Sequence, residues 1–286
     1  MSLWIDFLGT EIRYVDTPTY GRIRVAEAGA KDAPAILFQH GIGGHLEAYS
    51  KNLVPLSDQF RCIAFDYVGH GLSARKSMEY TPLVLADQVR ELMDALEIER
   101  AHLSGESLGG WVSGTFAAKY SNRVNRLMLN TSAGIPIVSE KGRADLVDLL
   151  ERSKKAAGVA PSFENVKHRI EWLIHPSNHA ALITDELVNL RLHYNSMVEG
   201  REVWPMVNRM IPRHDEFLIP LESIPHPTML LWTRDNPIQD LDCARAAAKR
   251  IPHVELYVMQ ADSAHWPQYE APEEFNRVAR AFFGAA

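Results

Sequence analysis

The sequence predicts an α/β fold: a mostly parallel central sheet flanked by helices, with a helical cap inserted between two late strands. Three observations predict it. Short uninterrupted apolar runs recur along the chain, as in strands covered on both faces. They alternate with helical segments, the rhythm of a doubly wound sheet. That rhythm lapses between about Gly134 and Pro220, where several patterns are helical and no central strand is evident.

Taken in order, the runs Glu11 to Asp16 and Arg22 to Glu27 flank Pro18 and Gly21 and read as an antiparallel hairpin. Further strands are expected at Ala35–Gln39, Cys62–Phe65, Ala101–Ser104, Val124–Asn130, Thr228–Trp232 and Val254–Met259. The helices between them include Leu83–Leu96, Leu108–Tyr120, Leu241–Ile251 and Pro272–Phe283. Inside the interruption, Arg143–Lys155, Phe163–Ile174 and Asp185–Tyr194 have helical spacing. The core is therefore assigned to residues 1–134 and 215–286, and the cap to residues 135–214. Such a cap would cover the C-terminal ends of the strands, where open α/β sheets bind ligands.

A chain of 286 residues, 46% of them hydrophobic, can bury a substantial core. The net charge of −6 is spread along the chain, which argues against nucleic acid or a polybasic membrane surface as partner. The N-terminus carries Asp6 and Glu11 and lacks the basic flank and apolar run of a signal peptide. No apolar stretch approaches the roughly 20 residues that span a bilayer. Cys62 and Cys243 lack any CxxC or metal spacing and read as reduced structural thiols, so a cytoplasmic protein is expected. His175 and His179 are four apart, but Pro176 interrupts them and no HExxH pattern exists. No metal or cofactor is expected.

Gly105-Glu106-Ser107-Leu108-Gly109 matches G-x-S-x-G, directly after one predicted strand and directly before a helix. A sharp strand-to-helix turn there strains the serine backbone and needs small neighbours, the arrangement of an α/β-hydrolase nucleophile. The helix start aims N–H groups at a developing oxyanion. Leu108 is one candidate donor. His40-Gly41-Ile42-Gly43-Gly44 follows the strand Ala35–Gln39, and Ile42 is the second. His70, in the turn after the next strand, is read as structural. His265, past the last strand, is placed as the base that takes the serine proton and returns it. The third member should follow Thr228–Trp232, where the chain reads Thr233-Arg234-Asp235-Asn236-Pro237. Asp235 is the candidate acid, with Asp240 and Asp242 as fallbacks better read as surface or cap residues of the next helix.

With these motifs in place, the chain resembles the meta-cleavage-product hydrolases, α/β-hydrolases that cut carbon–carbon bonds in ring-fission products of aromatic catabolism. The resemblance runs from about Ala33 to Phe283. It is carried by His265-Trp266 with Glu270 and Glu274-Phe275-Asn276-Arg277, by Leu182-Ile183-Thr184-Asp185-Glu186-Leu187 with Arg191, and by Leu127–Asn130 with Gly134. It implies a small carboxylated substrate, a 2-hydroxy-6-oxo-hexa-2,4-dienoate ketonised before cleavage, and an acyl-enzyme on Ser107. It implies that Arg191 clamps the substrate carboxylate and that Trp266 walls the pocket, beside a Gly43 whose lack of a side chain frees the backbone to approach the substrate closely. Family members commonly self-associate, so a homo-oligomer is also implied.

Three departures from the family pattern stand out. The family's aspartate aligns with Asn236, so either the loop is shifted by one residue to use Asp235 or the triad is weakened. Glu106 stands where the family has asparagine, facing the substrate or turned away into a salt bridge. The loop after His40 is shorter, with Ala48 where an asparagine is expected. An esterase or lactonase using the same Ser107 and His265 is the alternative activity. A binding protein that has lost efficient catalysis is the third reading, motivated by Asn236.

Overall fold

The computed structural model describes residues 2–156 and 159–285. Eight strands form one sheet in the order β1-β2-β4-β3-β5-β6-β7-β8. These are β1 (Glu11–Thr17), β2 (Gly21–Ala28), β3 (Ala35–Gln39), β4 (Arg61–Phe65), β5 (Ala101–Glu106), β6 (Val124–Asn130), β7 (Thr228–Trp232) and β8 (Val254–Val258). The expected hairpin is β1 against β2, and β2 also runs antiparallel to β4. Every other pairing is parallel.

The helices are α1 (Leu3–Asp6), α2 (Ser50–Leu56), α3 (Pro82–Ala95), α4 (Leu108–Lys119), α5 (Glu140–Ala156), α6 (Phe163–Leu173), α7 (His179–Leu182), α8 (Asp185–Ser196), α9 (Val198–Asn208), α10 (Leu241–Ala248), α11 (Pro267–Glu270) and α12 (Pro272–Phe283). Capping fixes where several begin. Thr81 accepts from Val84 N–H with Pro82 following, and Thr184 accepts from Leu187 N–H ahead of Asp185 and Glu186. Asp240 caps α10 by accepting from Cys243 N–H, the role foreseen for it, and exposed Asp242 pairs with Arg245.

Both faces of the sheet are covered, which is why its strands read as continuous apolar runs. Leu37 of β3 packs with Val89, Val112 and Phe116 on the face of α3 and α4. Its neighbours Ile36 and Phe38 pack with Leu53, Phe275 and Val278 on the face of α2 and α12. Cys62 and Cys243 are free, buried thiols within these clusters. A third apolar cluster joins Val166 and Ile170 of α6 and Leu187 and Val188 of α8 to Trp266 and Tyr269. It seats α6 and α8 on the loop that carries His265.

A buried ionic cluster seats α8 a second time. Arg24 of β2 donates to Asp66 and to Glu47, and Tyr194 of α8 donates to Glu47 at 2.9 Å. The paired carboxylates hold Arg24 in its charged form despite burial, because their attraction outweighs the lost hydration. Chain direction also explains the site's position. From β3 the sheet grows to one side through β4, then resumes on the other side at β5. That reversal opens a crevice at the carboxyl ends of β3 and β5.

Candidate active site

Ser107 closes β5 and opens α4 with φ 55° and ψ −114°, a left-handed backbone that a non-glycine residue adopts only under restraint. The restraint is a close fit between β3, β5 and α4. A Cβ on Gly109 would lie 2.0 Å from the Gln39 carbonyl oxygen, so the helix can approach β3 only with glycine there. The Ser107 carbonyl accepts from Trp111 and Ala133 N–H, both at 3.0 Å.

His265 is buried beside this turn. Its backbone N–H donates to Leu173 O of α6 at 2.9 Å, and its carbonyl accepts from Thr131 Oγ1 at 2.8 Å. Glu270 organises the loop around it. One carboxylate oxygen accepts from Ala264 and Trp266 N–H, and the other from His175 N–H at 2.8 Å. Burial lowers the His265 pKa to about 4, so the imidazole is a neutral base at pH 7.

The acid position is where the structure corrects the sequence reading. Asp235 is exposed and lies 3.6 Å from His175 Nε2. Asn236 is fully buried, with Oδ1 2.7 Å from His265 Nδ1. Its amide Nδ2 donates to Gln239 O, which also accepts from Trp232 Nε1 at 2.8 Å. These bonds fix the amide orientation: Oδ1 accepts from Nδ1–H, and the Nε2 lone pair is left on the side of the cavity. The loop therefore places a neutral acceptor, and not the Asp235 carboxylate, against Nδ1.

Glu106 turns inward. Its carboxylate accepts from Gly41 N–H at 2.7 Å through Oε2, while Oε1 lies 3.3 Å from His265 Nε2 and has no aligned hydrogen bond among the described residues. It is buried, and loss of hydration raises its pKa to about 8. The salt bridge away from the cavity that the sequence left open is not what the structure adopts.

These groups line a cavity of about 60 Å³ with Ile42, Ala48, Trp266, Leu149 of α5, Arg169 of α6, and Leu187 and Arg191 of α8. Arg191 is buried, donates through Nη2 to Gly43 O at 2.6 Å and stacks over Trp266 at 4.7 Å. Its Nη1 has no hydrogen-bond partner among the described residues. Burial and the nearby Arg169 lower its pKa to about 9. Gly43 stands behind Arg191 instead of on the cavity wall, with φ 67° and Trp204 packed where a Cβ would be. Leu108 follows Ser107 as the first residue of α4. His70 is buried and held neutral by burial, with a pKa of about 3.

A serine on a strained strand-to-helix turn, beside a buried histidine with a fixed tautomer, is an arrangement for nucleophilic attack. A family model described as the alpha/beta hydrolase fold matches residues 34–272. The chain belongs to the α/β-hydrolase family. It is similar to a 2-hydroxy-6-oxo-6-phenylhexa-2,4-dienoate hydrolase of Comamonas testosteroni, with 31% identity over 90% of this chain and 89% of that one. A 2-hydroxy-6-oxononadienedioate/2-hydroxy-6-oxononatrienedioate hydrolase of Cupriavidus pinatubonensis is 27% identical over 94% of this chain and 93% of its own. Among solved structures, a meta-cleavage product hydrolase from Pseudomonas fluorescens IP01 superposes with a TM-score of 0.79 at 26% identity, covering 97% of this chain and 98% of that one. The protein is thus an enzyme, an α/β-hydrolase whose named relatives include meta-cleavage-product hydrolases.

Two features of this hydrolase's site escaped the sequence reading. Arg169 brings a second guanidinium to the cavity and forms no salt bridge among the described residues; its ring neighbour is Trp204 at 5.9 Å. The base loop is bound to the helical segment through Glu270, whose place in the sequence signature gave no sign of that task. Among the described residues no helix is long and apolar enough to cross a membrane.

Proposed function

We propose that this hydrolase cleaves a carbon–carbon bond in a carboxylated meta-ring-cleavage product of aromatic degradation, through an acyl-enzyme on Ser107. The observation that carries the reading is the arginine pair on the cavity beside Ser107 and His265. A buried guanidinium with an unpartnered Nη1 is costly unless an anion meets it. The relatives named for a hexadienoate and for a nonadienedioate lend support, since both names denote carboxylates.

In this reading residues 135–214 form a cap over the substrate. Arg191 and Arg169 hold the carboxylate and direct the distal carbonyl carbon of the ketonised substrate toward Ser107. His265 Nε2 takes the Oγ proton as the Oγ–C bond forms, and the N–H groups of Ile42 and Leu108 receive the oxyanion. Collapse breaks the carbon–carbon bond, and its electron pair passes into the conjugated 2-oxo group. That group takes the proton from His265 and departs as a hydroxydienoate. Water, giving a proton to His265, then attacks the acyl carbon, and collapse releases the carboxylic acid as His265 returns the proton to Ser107 Oγ.

A second reading, an esterase or lactonase with the same serine and histidine, draws on Glu106 and Ala48 at the cavity, where a dienoate gains no polar contact. Comparing kcat/KM for several dienoates with that for p-nitrophenyl esters separates the two. The proposal expects the dienoates to be preferred. Rapid ester turnover with no bleaching of any dienoate would install the second reading.

A further inference from the structure

We propose that Glu106 is a positioning residue for the base, supplying from the Nε2 side of His265 the countercharge that Asn236 cannot supply at Nδ1. The inference rests on the Ser107–His265 machinery and is independent of which bond is cut. Its ground is geometric. In a Ser-His-Asp triad the aspartate fixes the tautomer and stabilises the imidazolium. Here Asn236 performs the first task alone, because an amide oxygen accepts from Nδ1–H but carries no charge. A carboxylate stands on the opposite side of the same ring, with Oε1 3.3 Å from Nε2. That oxygen is buried and has no hydrogen-bond partner among the described residues, while Oε2 is anchored by Gly41 N–H. An anchored carboxyl with one free oxygen beside the proton-accepting nitrogen is placed for the charge that appears there.

The proton balance is simple. Ser107 Oγ–H gives its proton to Nε2 as the bond from Oγ to carbon forms, so His265 becomes an imidazolium. Its positive charge then lies beside the buried Glu106 carboxylate, where attraction is stronger than in bulk water. When Nε2 passes the proton to the leaving group, both return to the starting state. Only ionised Glu106 can do this. The charged and titratable groups that face it are Arg191 from α8, Tyr49 from the 3-10 turn Leu46–Tyr49, Tyr67 from the turn after β4 and His265, with Arg169, His45 and Glu47 also at the cavity. Arg191 favours the ionised carboxylate, while burial opposes it more strongly.

The test is the rate at which a fluorophosphonate labels Ser107 between pH 5 and 10, in wild type and Glu106→Gln. Glutamine keeps an acceptor for Gly41 N–H and removes the charge, turning its amide nitrogen toward Nε2. The wild-type rate should rise with pH along a limb centred above pH 7. In Glu106→Gln the limb should move down by at least one pH unit, and the plateau should fall at least tenfold. A lower plateau with an unmoved limb would assign Glu106 a merely structural role and overturn the proposal. Absence of labelling at every pH would overturn it together with the hydrolase mechanism. Should the variant not fold, 15N NMR of labelled histidine in the wild-type protein decides. His265 resonances that respond to an ionisation above pH 7 support the proposal, and their indifference between pH 5 and 10 overturns it.

Discussion

At the scale of single residues, the site turns on which neighbour of a loop dipeptide meets His265. Asp235 and Asn236 are adjacent, and a carboxylate is the chemically richer choice, so sequence favours the wrong one. The loop's own hydrogen bonding decides. Gln239 O accepts from Trp232 Nε1 and Asn236 Nδ2, which draws residue 236 inward and leaves Asp235 in solvent. Asp235→Ala should therefore change kcat less than twofold. Asn236→Ala removes the acceptor for Nδ1–H and should lower kcat about tenfold or more, as expected for losing about 1.4 kcal/mol of stabilisation. Steady-state kinetics of the two variants checks both. Glu106 adds a stability signature. Its folded-state pKa of about 8 lies above the ordinary 4.5, so the folded chain binds that proton more tightly than the unfolded chain. The associated stability is complete below pH 4.5 and is lost as pH rises through about 8. At about 1.4 kcal/mol per pH unit, Glu106→Gln should gain a few kcal/mol over wild type at pH 9 and almost none at pH 4. Thermal melts at the two pH values measure it, and a variant less stable at pH 9 would refute it.

At the scale of elements, the turn from β5 to α4 was legible because its constraint is local. Glycines at fixed offsets are the only residues that let α4 approach β3 so closely. The facing of the later helices was not legible. Arg169 lies in a helix with charged neighbours on either side, and nothing in its spacing distinguishes a cavity-facing arginine from a solvated one. The direction taken by Glu106 likewise depends on the Gly41 N–H of a distant loop. The arginines make a sharp prediction about α6 and α8. Arg191→Ala should lower kcat/KM for a dienoate about a hundredfold, the worth of a charge-assisted hydrogen-bond pair, and Arg169→Ala should lower it by a smaller factor. Neither should alter p-nitrophenyl acetate turnover more than about threefold. Equal losses on both substrates would mean that the arginines hold the fold and not the carboxylate.

At the scale of the whole molecule, the strand positions, the parallel sheet and the helical interruption were readable, because two-sided burial writes itself into a sequence as apolar runs. Tertiary contacts that cross from the core to the helical segment were not. Tyr194 on the Arg24–Glu47 cluster, Glu270 on His175 and Trp266 among the apolar residues of α6 and α8 couple the two parts, and none has a local pattern. The cavity of about 60 Å³ is smaller than the several hundred cubic ångströms of pockets that enclose drug-sized ligands. A substrate with a bulky distal group therefore requires α5, α6 and α8 to move. The central claim, serine-dependent carbon–carbon cleavage of a carboxylated dienoate, is tested most directly by the visible absorbance of a yellow meta-cleavage product mixed with enzyme. Rapid bleaching by wild type and loss of at least a thousandfold in rate with Ser107→Ala are expected. A colour that persists with wild type across several such dienoates, or bleaching by Ser107→Ala at the wild-type rate, would contradict it.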